Sequence, residues 1–136
     1  MPLMEWNAQL SVGVGQFDRE HQTMVDMINA LFDAVQAGRG REMLGRTLDG
    51  LLDYTKTHMI KEEQILEKHG FPGVDSHREE HRAVGRQIGE IRQRYDAGAT
   101  GPMCMEVLTL MKKWLIEHIQ GTDKQYQAFL NAKGLH

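Results

Sequence analysis

The chain has 136 residues, of which 40% are hydrophobic and 26% are charged, and its formal net charge is −3. This length suits one domain with one core, and the composition is that of a folded globular protein rather than a disordered one. Acidic and basic residues are interspersed along the chain. This argues against a nucleic-acid partner, because binding to phosphates needs a stripe of basic residues on the protein surface. No apolar run approaches the ~20 residues that a membrane-spanning helix needs, so no membrane insertion is expected.

The cysteine content and the N-terminal sequence bear on the cellular compartment. The chain has one cysteine, Cys104, which cannot form an internal disulfide. The first residues lack the basic and apolar blocks of a signal peptide. Both features predict a cytoplasmic protein. Cys104 itself either has a lowered pKa at a helix start or is buried as a small apolar side chain, and the second interpretation is favoured.

Apolar residues at helical spacing predict an all-α fold, namely an antiparallel up-and-down four-helix bundle with an N-terminal arm and a short C-terminal helix. The chain is predicted to form a single domain over residues 1–136, with the arm at 1–17 and the helical bundle at 18–132. The arm shows no sustained helical period and is expected to pack against the bundle. The first helix is predicted to begin with Asp18 as its N-cap and to end before Gly38.

The later helices follow from similar signals. The second is predicted from about Arg41 to His69, where a glycine and a proline follow. Ser76 and Glu79 are predicted to form a capping box at the start of the third helix. A turn is expected at residues 98–101, with Pro102 at the first position of the fourth helix. A last short helix is predicted over residues 124–132.

Seven histidines are many for this length. Five of them fall on the apolar stripes of the four helices, where side chains at i and i+4 share one face. These are His21 on the first helix, His58 on the second, His77 and His81 on the third, and His118 on the fourth. The second helix adds Glu62 to the same face. His69 and His136 are predicted not to belong to this set.

Taken singly, each of these motifs has an ordinary interpretation. An HxxxH or HxxxE spacing is often a solvated helix pair, and a lone histidine is often a satisfied core residue. Together, however, they would place several unpaired polar groups inside one small core, at a cost of several kcal/mol each. Metal coordination converts that cost into binding free energy. One ion cannot use five histidines and an acid, whereas two ions bridged by carboxylates can.

Asp123 supplies the second carboxylate. It follows His118 by five residues, which places the two side chains about 140° apart on a regular helix. They can share a site only if the backbone departs from the α-helix between them. Gly121 lies in that interval and is predicted to supply the departure.

These residues, in this order, resemble the hemerythrin family and its bacterial branch in particular. The family pattern is a lone histidine, then HxxxE, HxxxH and HxxxxD. It appears here as His21, His58 with Glu62, His77 with His81, and His118 with Asp123. Flanking segments agree, among them Phe17-Asp18-Arg19-Glu20-His21 and Trp114-Leu115-Ile116-Glu117-His118. The resemblance covers residues 5 to about 130.

The resemblance implies a non-haem di-iron centre. One iron ion would be bound by three histidines and the other by two, with both carboxylates and an oxo or hydroxo group as bridges: His77, His81 and His118 on the first, His21 and His58 on the second, and Glu62 and Asp123 between them. Dioxygen would bind at the open position of the two-histidine iron. Trp114 and Leu115 match family positions that line an apolar oxygen pocket, and Met59 stands where the family often has phenylalanine.

The function implied is reversible dioxygen binding for oxygen carriage, storage or delivery, and not an enzymatic reaction. The expected partners are dioxygen and an oxygen-consuming enzyme, and the expected state is a monomer. Two alternatives stay open. A di-iron peroxidase or oxidase would use more carboxylate ligands than the two found here, and an oxygen or redox sensor module would need an output that a partner supplies.

Overall fold

The computed structural model describes residues 3–99 and 102–136. Within them the chain forms six α-helices: α1 (Gly15–Gln36), α2 (Gly40–Tyr54), α3 (Ile60–Lys68), α4 (Val74–Asp96), α5 (Met103–Glu117) and α6 (Gln127–Ala132). Two π turns, Thr55–Met59 and His118–Thr122, join α2 to α3 and extend α5. Short 3₁₀ turns cover Ala8–Leu10 and Asp123–Tyr126.

Four long helical segments build the bundle, because α2, the first π turn and α3 run on as one segment. Helix α1 packs on α2 and α5, and α4 packs on α2, α3 and α5. Each segment buries an apolar stripe, represented by Ile28, Leu48, Ile88 and Met111. The predicted all-α four-helix bundle is therefore confirmed. Among the described residues, no helix is long and apolar enough to cross a membrane.

The N-terminal arm is attached to the bundle through Asp18. Helix α1 begins at Gly15, so Asp18 lies in its first turn and the prediction of Asp18 as N-cap is wrong. Its carboxylate instead accepts hydrogen bonds from the Val12 N–H (2.8 Å) and the Ser11 hydroxyl (2.6 Å). Val12 is completely buried. The carboxylate thus fixes the arm over the helix start.

Two other predicted helix starts also differ from the structure. Helix α4 begins at Val74, so Ser76 is an exposed residue inside the helix, and the predicted capping box is wrong. Pro102 directly precedes α5, so the prediction that it is the first residue of that helix is wrong. Of the predicted turn at 98–101, residues 100 and 101 lie outside the described residues. None of α1, α4 and α5 has a side-chain hydrogen bond at its N-cap, so signals that depend on capping misplaced these starts.

Cys104 is half-buried near the start of α5, and burial raises the pKa of its thiol. Its sulfur packs against Gly40, the first residue of α2, where an added Cβ would lie 3.1 Å from the sulfur. The half-buried position agrees with the interpretation as a small apolar side chain, and the raised pKa speaks against the alternative of a lowered one.

We expect Asp18→Ala to lower the free energy of unfolding by about 1–3 kcal/mol, because it removes a charged acceptor of two hydrogen bonds. Urea-induced unfolding followed by circular dichroism measures this. Asp33→Ala is the matched control, since Asp33 is exposed on the same helix and its side chain makes no hydrogen bond to a described residue. The control should change stability by less than about 0.5 kcal/mol. Equal losses in both variants would contradict this role of Asp18.

Candidate metal centre

The structure brings all seven predicted ligands together in the bundle core, and none is more than 4% exposed. They come from α1, from the segment that includes α2 and α3, from α4, and from the segment that follows α5. Two overlapping groups hold ligand atoms within 4.8 Å of one another: Glu62, His77, His81, His118 and Asp123 in one, and His21, His58 and Glu62 in the other. Glu62 belongs to both groups.

The two oxygens of Glu62 face different histidines. Oε1 contacts Nε2 of His77 and lies 3.3 Å from Nε2 of His81. Oε2 lies 3.3 Å from Nε2 of His58 and 3.6 Å from Nε2 of His21. One carboxylate therefore connects two sets of imidazoles.

Asp123 divides its oxygens in the same way. Oδ1 lies 2.8 Å from Nε2 of His118 and 3.1 Å from Nε2 of His77. Oδ2 lies 3.2 Å from Nε2 of His21. The site thus has a three-histidine half (His77, His81 and His118) and a two-histidine half (His21 and His58), and both carboxylates span them.

The unsatisfied polar atoms of Asp123 fit a bound cation. Its carboxylate is completely buried, yet neither oxygen has a hydrogen-bond partner among the described residues. A buried charge without such a partner is costly. Apart from the closer contact between His77 and Glu62, the imidazole Nε2 atoms lie 2.8–3.6 Å from the Glu62 and Asp123 oxygens that they contact, and donors at right angles around an ion with bonds of ~2.1 Å are roughly 3.0 Å apart. This donor set therefore fits two adjacent cations.

A π turn explains how His118 and Asp123 reach the same site. The turn His118–Thr122 has hydrogen bonds from i to i+5, so residues five apart lie on one face. The predicted departure from the α-helix is confirmed. Gly121, however, has no positive φ, and an added Cβ there would contact nothing, so glycine is not what the turn requires. The other π turn contains His58 and was not predicted.

Three further glutamates orient the histidines, and the sequence analysis missed them. Nδ1 of His58 donates to Glu20 (2.8 Å), Nδ1 of His81 to Glu63 (2.9 Å), and Nδ1 of His118 to Glu80 (2.6 Å). A carboxylate on Nδ1 fixes the tautomer that leaves Nε2 free to bind a metal. Each of these glutamates is next to a predicted ligand in the sequence, which is a signal that could have identified them.

Aromatic side chains enclose the centre. The Tyr126 hydroxyl donates to Oε2 of Glu62 (3.0 Å), a contact that the sequence analysis also missed. Tyr54 stacks on His58 with ring centroids 4.6 Å apart, and Phe17 meets His58 edge-on at 5.8 Å. Tyr54 and Phe17 thus cover part of the His58 ring.

The three residues predicted to line an oxygen pocket have different surroundings. Leu115 and Met59 are buried in the hydrophobic core, with at most 1% exposed. Trp114 is half-buried and lies flat on His118, with centroids 4.3 Å apart and an angle of 12° between the rings. Trp114 therefore stands beside the three-histidine half, whereas the open position was predicted on the two-histidine half.

Without a metal, the site binds protons. Burial acts to lower the pKa of His21 and His77, but contacts with Asp123 and Glu62 outweigh it and raise each pKa to about 10. Burial would raise the pKa of Glu62, yet the surrounding histidines hold it well below its usual value. The carboxylates are thus charged at neutral pH, and the imidazoles neutralise them.

Comparison with known proteins agrees with this geometry. The model of the family "Hemerythrin HHE cation binding domain" matches residues 12–130. The chain belongs to the hemerythrin family. It is 32% identical to a bacteriohemerythrin of Methylococcus capsulatus over 97% of this chain and 100% of that one. A myohemerythrin of Theromyzon tessulatum is 25% identical over 93% of this chain and 92% of its own length.

Solved hemerythrin structures have the same fold. A wild-type hemerythrin crystal structure superposes with a TM-score of 0.83 at 31% identity, covering 93% of this chain and 96% of that chain. A hemerythrin variant in which one leucine is replaced by alanine gives a TM-score of 0.84. The fold and the family therefore agree with the prediction made from the motif order.

We expect the metal-free protein to release protons when it binds Zn²⁺ at pH 7. His21 and His77, with pKa values of about 10, carry protons at this pH, and a metal binds only the neutral imidazole. The apparent affinity should therefore rise with pH up to about 10. Calorimetry in two buffers of different ionisation enthalpy measures the release. His77→Ala should reduce it and His69→Ala should not, and equal heats in both buffers would contradict it.

Proposed function

We propose that this hemerythrin-family protein binds dioxygen reversibly at a non-haem di-iron centre, with the seven residues of the candidate site as its iron ligands. The observation that carries the proposal is the division of both carboxylates between a three-histidine and a two-histidine half. A carboxylate with one oxygen toward each half is arranged to bridge two ions. The bacteriohemerythrin and myohemerythrin relatives support the same assignment.

A count of donors supports an open position in the two-histidine half. The three-histidine half has three nitrogens and one oxygen from each carboxylate, which makes five donors. The two-histidine half has two nitrogens and two oxygens, which makes four. The residues of the first half would therefore offer an iron ion one donor more than those of the second, and His21 and His58 would hold the ion that has room for dioxygen.

When bound, a pair of ferrous ions supplies the electrons with which dioxygen is held reversibly. The chain's own residues keep water and protons from that position. Met59 and Leu115 are at most 1% exposed, and Phe17 is completely buried with its ring edge on His58. The Tyr126 hydroxyl is engaged with Glu62. An apolar environment of this kind favours release of dioxygen unchanged over oxidation of the iron.

The donor set favours binding over an oxidase reaction. Oxidase-type di-iron bundles use more carboxylate ligands, and here three more carboxylates are nearby. Glu20, Glu63 and Glu80 all contact Nδ1, on the side of the imidazole that faces away from the centre. They therefore do not add to the two carboxylates at the centre. Five imidazoles to two carboxylates suit a carrier.

We further infer that the protein acts in the cytoplasm as a monomer and delivers dioxygen to an oxygen-consuming enzyme. The single cysteine supports a reducing compartment, since the chain has no possible internal disulfide. Its thiol is half-buried and its pKa is raised by burial, so it is not poised for reaction.

The optical spectrum of the iron-loaded protein tests the function. We expect two iron ions per chain by elemental analysis, and a visible absorption band that appears in air, disappears under vacuum and returns with air. One metal ion per chain would contradict the di-iron site. A band that forms once and does not return would contradict reversible binding and favour the oxidase alternative.

Leu115→Ala should accelerate autoxidation of the iron by roughly tenfold or more, which corresponds to about 1.4 kcal/mol of barrier. Leu115 lies one turn before His118, and shortening it opens space for water near the centre. The decay of the oxygenated band in air-saturated buffer measures the rate, and the iron content should stay unchanged. Leu108→Ala is the control, because Leu108 is a buried leucine two turns earlier on α5. Equal acceleration in both variants would show that Leu115 has no specific role.

A further inference from the structure

A surface cavity of about 240 Å³ between α4 and α5 reaches one of the proposed ligands directly. His118 forms part of its wall, together with Glu80, Glu117, Thr122 and Trp114. Two of these residues are acidic, and no lysine or arginine lines the cavity. The cavity therefore presents negative charge to solvent and a metal-binding imidazole at its base.

Glu80 connects the solvent with the metal centre. Its side chain is 43% exposed. One oxygen contacts Nδ1 of His118 at 2.6 Å, and the other accepts a hydrogen bond from the Thr122 hydroxyl at 3.1 Å. His118 and Thr122 are the first and last residues of the π turn that positions Asp123. The Glu80 carboxylate is thus open to water, and only the ring of His118 separates it from the interior of the site.

The cavity on the other side of the centre is less suited to a cation. It has a volume of about 370 Å³ and reaches His58, and its lining includes two carboxylates, Glu20 and Asp53, together with Lys61. The Lys61 ammonium lies 3.8 Å from the Glu20 carboxylate and neutralises it. A divalent cation therefore meets one uncompensated carboxylate at that entrance, and two carboxylates without a lysine or arginine at the entrance beside His118.

Trp114 covers the ring of His118 on the cavity side. The two rings are stacked with centroids 4.3 Å apart, and Trp114 is itself a wall of the cavity. Rotation of the His118 ring toward the cavity would break this stacked contact and the contact of Nδ1 with Glu80, so both contacts slow it.

We propose that iron enters and leaves the three-histidine half through this cavity. Glu80 and Glu117 attract and first bind the divalent cation, the ring of His118 rotates to accept it, and Trp114 slows both entry and escape. The step is an exchange of ligands, in which the cation passes from the carboxylates of Glu80 and Glu117 to the imidazole of His118. The inference rests on the proposed function, because it concerns loading of the same centre.

Uptake of Co²⁺ by the metal-free protein, followed by stopped-flow absorbance, tests the entry route. Glu117→Gln should slow uptake by about threefold at low ionic strength, and the difference should shrink as salt screens the charge. The final extent of uptake should be unchanged, because the side chain of Glu117 makes no hydrogen bond or ion pair with a proposed ligand among the described residues. Glu42→Gln is the control: this exposed glutamate on α2 lies 16 residues before His58, roughly 24 Å along the helix.

The rate at which a chelator removes bound Co²⁺ tests the role of Trp114. Trp114→Ala should accelerate removal by about fivefold, whereas Trp114→Phe, which retains a stacked ring, should stay near the wild-type rate. Equal uptake rates in the Glu117 and Glu42 variants, or equal removal rates in the two Trp114 variants, would overturn the route alone. A wild-type protein that takes up no Co²⁺ would overturn the proposed function as well.

Discussion

Two completely buried carboxylates, Glu62 and Asp123, constrain the rest of this bundle. Leaving such charges uncompensated would cost an amount comparable with the whole stability of a small domain, ~5–15 kcal/mol. Five imidazoles surround them, and these compensate the charge either as proton carriers, with the pKa of His21 raised to about 10, or as ligands of cations. Each of the four long helical segments supplies at least one of these five histidines, and the histidines meet at one level of the bundle.

The three outer glutamates couple the packing of the helices to the geometry of the centre. Glu20 on α1 holds His58 of the following segment, Glu63 on α3 holds His81 on α4, and Glu80 on α4 holds His118 after α5. Each segment thus orients a ligand of the segment that follows it. A shift between two neighbouring helices would rotate an imidazole, so the rigidity of the bundle is also the rigidity of the site.

The sequence predicted which polar residues lie together in the core better than it predicted the boundaries of the helices. Histidines on apolar stripes are visible because burying them needs a reason, and the angle between His118 and Asp123 showed that the helix must change there. The form of that change, a π turn, follows from backbone hydrogen bonds that no residue type signals, as the ordinary φ of Gly121 shows. The wrong assignment of Asp18 as an N-cap has a similar cause. Its hydrogen-bond partners lie on the N-terminal arm and come near it only when the arm folds back on the bundle.

The outer carboxylates leave one imidazole in each half of the site without a partner. In the three-histidine half, His81 and His118 each have a glutamate on Nδ1, and in the two-histidine half His58 does. Nδ1 of His77 and Nδ1 of His21 are buried without a partner among the described residues. The Nε2 atoms of these two rings are the ones that contact both Glu62 and Asp123. The two inner carboxylates therefore hold the two imidazoles that no outer carboxylate orients, and all five rings are fixed within one rigid bundle.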